Sequence, residues 1–125
     1  MVESLSPYCP FYRRAVAIIT RRWTPEIVRV LMFGTKRFGE IRATIPGLSD
    51  RLLSERLKDL EAEGLVTRSV TPDTPVLIEY RLTEKGAALF SIVKEIAIWA
   101  ETWLDTEAAA ETLAHQNTRN SQKSA

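Results

Sequence analysis

The stretch RFGEIRATIPGLSDRLLSERLKDLEAEGL, residues 37–65, decides the fold. Its first half places Phe38, Ile41 and Ile45 at i, i+3 and i+7, which is one face of a helix. Pro46 disfavours helical backbone at the residue before it, and the glycine that follows permits a sharp reversal of the chain. The stretch is therefore predicted to begin with a short helix that ends in a tight turn.

The second half of this stretch predicts another helix with a defined start and end. Ser49 suits the N-cap position, because its hydroxyl can accept a hydrogen bond from an orphan N–H of the first turn. Leucines follow at positions 53, 57 and 60, with the spacing of one buried helix face. Gly64 suits the position just past the helix end, where Leu65 can pack back on the last turn. Two such helices around a short glycine-containing turn indicate a helix-turn-helix.

The exposed face of the second helix is predicted to be polar. At roughly 100° per residue, the side opposite the leucines holds Arg51, Ser54, Glu55 and Lys58. Side chains of these types can read base edges in the major groove of DNA. The alternative is a solvated face on which Arg51 and Glu55 form a surface ion pair at i, i+4. The turn, the cap and the flanking segments favour DNA reading.

Composition and charge bound the class of protein. The chain has 125 residues, 45% of them hydrophobic, which suits one domain with a core. No apolar run approaches the roughly 20 residues of a membrane span, and one cysteine excludes an internal disulfide framework. Residues 13–68 hold 12 Lys/Arg and 7 Asp/Glu, whereas residues 69–125 hold 5 and 8. We expect a cytoplasmic protein whose basic half faces phosphate.

Two helices are predicted ahead of the helix-turn-helix. The first begins at Pro10, with Cys9 at its N-cap. The second begins after Thr24 as N-cap and is stopped by Gly34, while Trp23 between them is predicted to be a core or interface anchor. The next residues, 35–37, bring two cations to the start of the helix-turn-helix, a place that commonly meets phosphate.

The segment after Gly64 has the pattern of a β-hairpin. Residues 65–70 and 76–82 are β-rich, and the TPDTP loop of residues 71–75 joins them. Thr83 then caps a helix of some 22 residues, about 33 Å long, whose apolar stripe exceeds what so small a domain can cover. We predict a mainly α fold with a small β-hairpin: a winged helix-turn-helix with extra terminal helices for dimerisation.

The chain resembles the HxlR family of bacterial winged-helix transcriptional regulators, which are related to the MarR type. The resemblance covers about residues 9–104 and rests on short motifs in a fixed order: Cys9-Pro10, Arg22-Trp23-Thr24, Arg37-Phe38-Gly39-Glu40-Ile41, Pro46-Gly47-Leu48-Ser49, Leu53, Arg56-Leu57, Leu60-Glu61, Gly64-Leu65-Val66, Glu79-Tyr80, Leu82-Thr83 and Gly86. Thr71 and Leu77 depart from the family, whose wings often carry an aromatic residue and an arginine there. We divide the chain into a flexible arm (1–8), this domain (9–104) and a tail that is partly helical or disordered (105–125).

The resemblance implies a homodimer on double-stranded DNA, with the helix from Ser49 in the major groove and the hairpin as wing. It also implies a bacterial protein that is associated with the nucleoid when bound to DNA. We assign DNA contact to nine residues: Lys36, Arg37, Ser49, Asp50, Arg51, Ser54, Glu55, Lys58 and Arg68. The dimer interface is assigned to the terminal helices at Tyr12, Ile96, Trp99 and Trp103. Some members of the family sense oxidants through a cysteine like Cys9, which here is either a sensor or a space-filling thiol, and a small molecule or oxidant is a candidate effector.

Other function classes are disfavoured by what the sequence lacks. There is one histidine, His115, and no metal-ligand cluster, phosphate-cradling loop or nucleophile–base spacing, so we expect neither an enzyme nor a cofactor or metal. The alternative from another class is a winged-helix module that binds a protein partner and not DNA. Salt-dependent binding to duplex DNA would separate the two functions.

Overall fold

The computed structural model describes residues 6–104 together with His115 and Arg119. Within that part of the chain the order of elements is α1 Pro10–Ile19, α2 Thr24–Leu31, β1 Lys36–Arg37, α3 Phe38–Thr44, α4 Asp50–Ala62, β2 Val66–Thr71, β3 Leu77–Leu82, α5 Glu84–Ala87 and α6 Phe90–Trp103. The fold is a mainly helical winged helix-turn-helix with a small antiparallel sheet, as predicted. None of the described helices is long and apolar enough to cross a membrane.

The sheet has three strands in the order β1-β3-β2. The hairpin pairs Val66 with Leu82 at its base and Thr71 with Leu77 at its tip. Strand β1 pairs with β3 through Lys36 opposite Tyr80, an element that the sequence did not predict. Two residues are too few for any alternation, and their pairing partner lies far along the chain, so no local signal marks this strand.

The core forms where α2, α3, α4 and the base of the hairpin meet. The largest fully buried side chains are Ile27, Val28, Ile41, Leu53, Leu57 and Leu60. The three leucines predicted from α4 are all among them, whereas Phe38 of α3 is only partly buried. The periodic pattern of residues 37–65 therefore predicted the buried faces of both helices correctly.

The start of α2 corrects one prediction. The N-cap is Trp23, with φ of +74°, and Thr24 is already the first helical residue and is buried. Thr24 N donates to the carbonyl of Arg21 at 3.0 Å, so a turn precedes the helix and moves its start back by one residue. Trp23 itself is buried in the core, as predicted.

The C-terminal region also differs from the prediction of one helix of some 22 residues. Two helices are present, α5 and α6, separated at residues 88–89. Leu89 N donates to the carbonyl of Gly86, three residues back, where an α-helix would use the residue four back. Gly86 packs against the backbone carbonyl of Leu65, which fixes α5 on the end of α4 and the hairpin. The predicted arm over residues 1–8 is described only from Ser6, and the predicted tail over residues 105–125 lies outside the described residues apart from His115 and Arg119.

Candidate nucleic-acid interface

Helix α4, the second helix of the helix-turn-helix, is capped at both ends. Ser49 Oγ accepts from Leu52 N at 3.2 Å, as predicted for the N-cap. At the other end Gly64, with φ of +73°, donates to the carbonyl of Glu61 at 3.0 Å, and Leu65 N donates to that of Leu60 at 2.9 Å. These two bonds are the pair that defines a Schellman end, which a glycine permits because of its positive φ. The length and position of α4 are therefore set by local contacts.

Polar contacts hold the first turn of α3 and join α3 to α4. Arg37 N donates to Glu40 Oε1 at 3.0 Å across the first turn of α3. Gly47 has φ of +87° in the turn, so the reversal predicted from the proline and glycine is present. Arg42 of α3 forms an ion pair with Asp50 at the start of α4 and thus joins the two helices directly. In this structure Asp50 is therefore paired within the motif, through a contact exposed to solvent.

The face of α4 opposite the core is exposed and polar. Arg51 has 89% of its side chain exposed, and its Nε lies 3.3 Å from Glu55 Oε1. Lys58 is exposed and Ser54 is half-buried on the same side of the helix. The surface ion pair of the alternative interpretation is thus present. Because an exposed pair contributes at most about 1 kcal/mol, it does not prevent Arg51 from binding a base.

The other residues assigned to DNA lie around this face on three elements. Lys36 and Arg37 form β1 at the start of α3, and Arg68 is exposed on β2. Ser49 is exposed, but its hydroxyl already caps α4. The hairpin tip, residues 72–76, is exposed and holds one charged residue, Asp73, whose Oδ1 accepts from Thr74 N at 2.8 Å. Cations therefore stand at the base of the wing and not at its tip.

The terminal helices carry the residues assigned to the dimer interface. Neither α1 nor α6 has a buried residue. Tyr12 on α1 and Ile96, Trp99 and Trp103 on α6 are all at least half exposed. Phe11, next to Tyr12 on α1, is 84% exposed. These two helices present a large apolar surface to solvent.

Cys9 occupies the N-cap of α1, as predicted, and is partly buried. Its carbonyl accepts from Arg13 N at 3.0 Å, which closes the first turn of the helix. Its thiol forms no disulfide in this structure.

One group of charged residues near α4 was not predicted. Arg56 donates from Nε to the carbonyl oxygen of Arg22 at 2.8 Å and from Nη1 to Asp59 Oδ2 at 3.1 Å. Arg21 also contacts Asp59 Oδ2, at 3.1 Å. We call Arg21, Arg56 and Asp59 the clasp. Its main contact joins residues 34 positions apart, so periodicity within a helix could not show it.

The model of the family described as HxlR-like helix-turn-helix matches residues 18–108 of this chain. The chain belongs to the HxlR family. Its relatives include the HTH-type transcriptional regulator YvaP of Bacillus subtilis (strain 168), which is 54% identical over 100 residues, 80% of this chain and 93% of that protein.

Solved structures of two further relatives have the same fold. The reduced form of YodB from Bacillus subtilis is 45% identical, covers 78% of this chain and 96% of that one, and superposes with a TM-score of 0.69. YodB has also been crystallised after diamide treatment and with quinone bound. The redox regulator HypR in its oxidized form is 35% identical, covers 78% of this chain and 100% of that one, and has a TM-score of 0.73.

Membership of this family decides the class of function. The chain is an HTH-type transcriptional regulator of the HxlR family, and not an enzyme. DNA binding follows from that class. The prediction drawn from the residues and from the resemblance is confirmed at this level.

Proposed function

We propose that the protein binds a pseudo-palindromic operator as a homodimer, with α4 in the major groove of each half-site. The observation that carries the proposal is the pairing of two exposed surfaces: a polar face on a capped α4 and an apolar surface on α1 and α6. Winged-helix proteins of this class read DNA through the second helix of the motif. In a twofold dimer each subunit would place one such helix on one half-site.

The dimer part of the proposal is supported by the amount of uncovered apolar surface. Trp99 and Trp103 are 57% and 72% exposed on the same helix, with Ile96 one turn before Trp99. A tryptophan side chain buries about 150–250 Å² when covered, and aromatic anchors of this size dominate interface energies. Contiguous apolar surface on this scale is typical of a protein–protein interface. A second copy of the chain would cover α1 and α6 in the way that twofold interfaces require.

The DNA part of the proposal divides the assigned residues by role. Arg51, Ser54, Glu55 and Lys58 would face base edges, because they lie opposite the leucines that bury α4. Lys36, Arg37 and Arg68 would contact phosphate on either side of the groove and set the register. Ser49 and Asp50 would act through the start of α4, where a capped helix N-terminus can approach a phosphate.

Selection of bound fragments from random duplex DNA tests the proposal. The expected motif is an inverted repeat whose half-site centres lie about 34 Å apart, or a multiple of that distance. A motif with one half-site, or binding that does not weaken with salt, would contradict it. The alternative of a module that binds protein and not DNA is disfavoured by family membership. A regulator of this kind acts where the chromosome is, so we place it in the cytoplasm.

We propose further that Cys9 makes DNA binding responsive to oxidants or quinones. Support comes from its N-cap position on the uncovered α1 and from relatives crystallised with diamide treatment, with quinone, or in an oxidized form. Diamide would take two electrons and two protons from the Cys9 thiols of two protomers, which then share a disulfide. A quinone would instead receive the thiolate sulfur at a ring carbon and the proton on its oxygen, with no leaving group.

A further inference from the structure

The clasp contains a charged side chain, that of Arg56, to which we assign neither a DNA contact nor a place in the hydrophobic core. Arg56 has only 12% of its side chain exposed, although it carries a full charge. At roughly 100° per residue it lies about 60° from Leu53, on the side of α4 away from Ser54. Burial of a guanidinium is tolerated only where partners satisfy it, and here the partners are Asp59 and the carbonyl of Arg22. Arg56 therefore connects α4 to the segment between α1 and α2.

The connection runs to the joint between α1 and α2, which we define as residues 20–23. Three consecutive residues of this joint either contact side chains of α4 or are buried in the core. Arg21 contacts Asp59, the Arg22 carbonyl accepts from Arg56, and Trp23 is buried with φ of +74°. A left-handed backbone at a bulky residue persists only where its surroundings hold it there. The Arg22 guanidinium also lies 5.2 Å from the centre of the Trp23 ring.

Helix α1 has little else to orient it within its own subunit. None of its residues is buried, and Ile18 alone among the residues of α1 is partly buried against the described core. The direction in which α1 leaves the winged domain is therefore set mainly by the joint. The joint in turn is held on α4 by Arg56 and Asp59.

We propose that Arg56 is a positioning residue that fixes the angle between α1 and the recognition helix, and so the separation of the two recognition helices on DNA. The inference rests on the proposed homodimer, in which α1 belongs to the interface. Helix α1 has ten residues and is about 15 Å long. A tilt of roughly 13° at one end of such a lever displaces the other end by about 3.4 Å, one base-pair step.

The experiment measures spacing preference directly. Wild type, Arg56→Met and Arg56→Lys are titrated against operators whose half-sites are separated by the preferred spacer and by spacers one and two base pairs longer or shorter. Methionine keeps an unbranched apolar stem at this position without the guanidinium donors. Lysine keeps the charge but lacks the planar fork that reaches two acceptors at once. The control is Val66→Ala, which removes buried volume from β2 and takes part in none of the hydrogen bonds or ion pairs of the clasp.

We expect Arg56→Met to reduce the affinity for the operator with the preferred spacer by about tenfold. The variant should bind the operators with longer or shorter spacers almost as tightly as it binds the preferred one. The base preference within each half-site should remain that of wild type, and Arg56→Lys should fall between the two. Val66→Ala should keep the sharp spacer preference even if it melts at a lower temperature than Arg56→Met. An unchanged spacer preference in Arg56→Met, or the same change in Val66→Ala, would overturn the inference.

A measurement without DNA separates this inference from the proposed function. Spin labels on Cys9 and on an Ala62→Cys substitution report the distance between α1 and the end of α4, in labelled chain diluted with unlabelled chain. We expect a narrow distance distribution in the wild-type background and a broad or displaced one with Arg56→Met. Equal distributions would overturn the positioning role whether or not the wild type binds DNA. Failure of wild type to select an inverted repeat would overturn the proposed function and leave this distance result standing.

Discussion

At the scale of the residue, Arg51 shows how an exposed ion pair and a DNA contact can share one side chain. Its bond to Glu55 lies at the surface, where such pairs contribute about 0.2–1 kcal/mol. A bidentate contact from arginine to guanine is worth about 1–3 kcal/mol of discrimination. The proposed contact with a base would therefore prevail over the ion pair with Glu55 when DNA is bound. In free protein the Glu55 carboxylate keeps the guanidinium over the exposed face of α4.

Arg51→Ala is expected to weaken operator binding by about 1–3 kcal/mol and to relax preference at one position in each half-site. Lys36→Ala is the matched comparison, because its ammonium is assigned to phosphate: it should weaken all sequences alike and lower the salt slope by about 1 per half-site. Selection from random DNA and salt titrations measure both. If Arg51→Ala selected the wild-type motif with wild-type affinity, the reading face would have been assigned wrongly.

Cys9→Ser tests the proposed sensing thiol with the loss of a single sulfur atom. Serine is itself a favourable N-cap residue, so α1 should form as before. Gel shifts are run before and after diamide or quinone treatment. We expect treatment to change DNA binding in wild type, reductant to restore it after diamide, and the serine variant to respond to neither reagent. Equal, unresponsive binding by both proteins would leave Cys9 as a packing residue.

At the scale of the element, α5 is fixed by side-chain hydrogen bonds to the end of α4 and by the close approach of Gly86 to the backbone of Leu65. Thr83 Oγ1 donates to the carbonyl of Gly64 at 2.6 Å, and Lys85 Nζ donates to that of Glu63 at 2.7 Å. Gly86 follows them in the chain and has no room for a side chain against the carbonyl of Leu65. The end of the recognition helix, the base of the wing and the start of the C-terminal region are thereby joined.

Gly86→Ala is expected to destabilise the fold by about 1–3 kcal/mol, because the added methyl group would overlap a backbone carbonyl that cannot move freely. Gly39→Ala is the control: nothing lies within 4 Å of its Cβ position, and alanine in a helix is favoured over glycine by about 0.5–1 kcal/mol. Urea denaturation of both variants measures the difference. Similar unfolding free energies would show that the contact at Gly86 relaxes at no cost.

The elements that were predicted depend on interactions between residues close in sequence, whereas those that were missed depend on contacts between residues far apart in sequence. Ser49, Gly64 and the leucines of α4 act within a few residues of one another, so caps and periodicity predicted that helix correctly. The polar face of α4 followed from the same periodicity. Strand β1, the break between α5 and α6 and the clasp all depend on contacts with distant parts of the chain. Local patterns carry no information about such contacts.

At the scale of the whole molecule, the terminal helices expose apolar surface that the proposed homodimer would cover. Aromatic and aliphatic side chains on α1 and α6 are left in solvent, and the two halves of a pseudo-palindrome require two copies of α4. Formation of the proposed homodimer would cover the apolar surface and supply the second copy of α4 in a single step. Stability and DNA affinity should therefore both depend on protein concentration.

Replacing Trp99 and Trp103 together by alanine is expected to dissociate the dimer at micromolar concentration and to abolish operator binding, with the circular dichroism of the winged domain kept. Phe33→Ala is the control, because Phe33 is 79% exposed but lies outside α1 and α6. Equilibrium sedimentation gives the mass of each. A monomeric wild type, or a double variant that stays dimeric, would refute the assigned interface.

The hairpin tip has a consequence for the bases that lie outside the two half-sites. Residues 72–76 contain no lysine or arginine. Narrow minor grooves in A-tracts attract arginine and lysine through their enhanced negative potential, and this is how many proteins sense DNA shape beyond their direct contacts. A wing tipped by Asp73 has no cation to place there. Exchanging A-tract flanks for GC-rich ones should leave affinity nearly unchanged, so operators of this regulator would be free to diverge in their flanks.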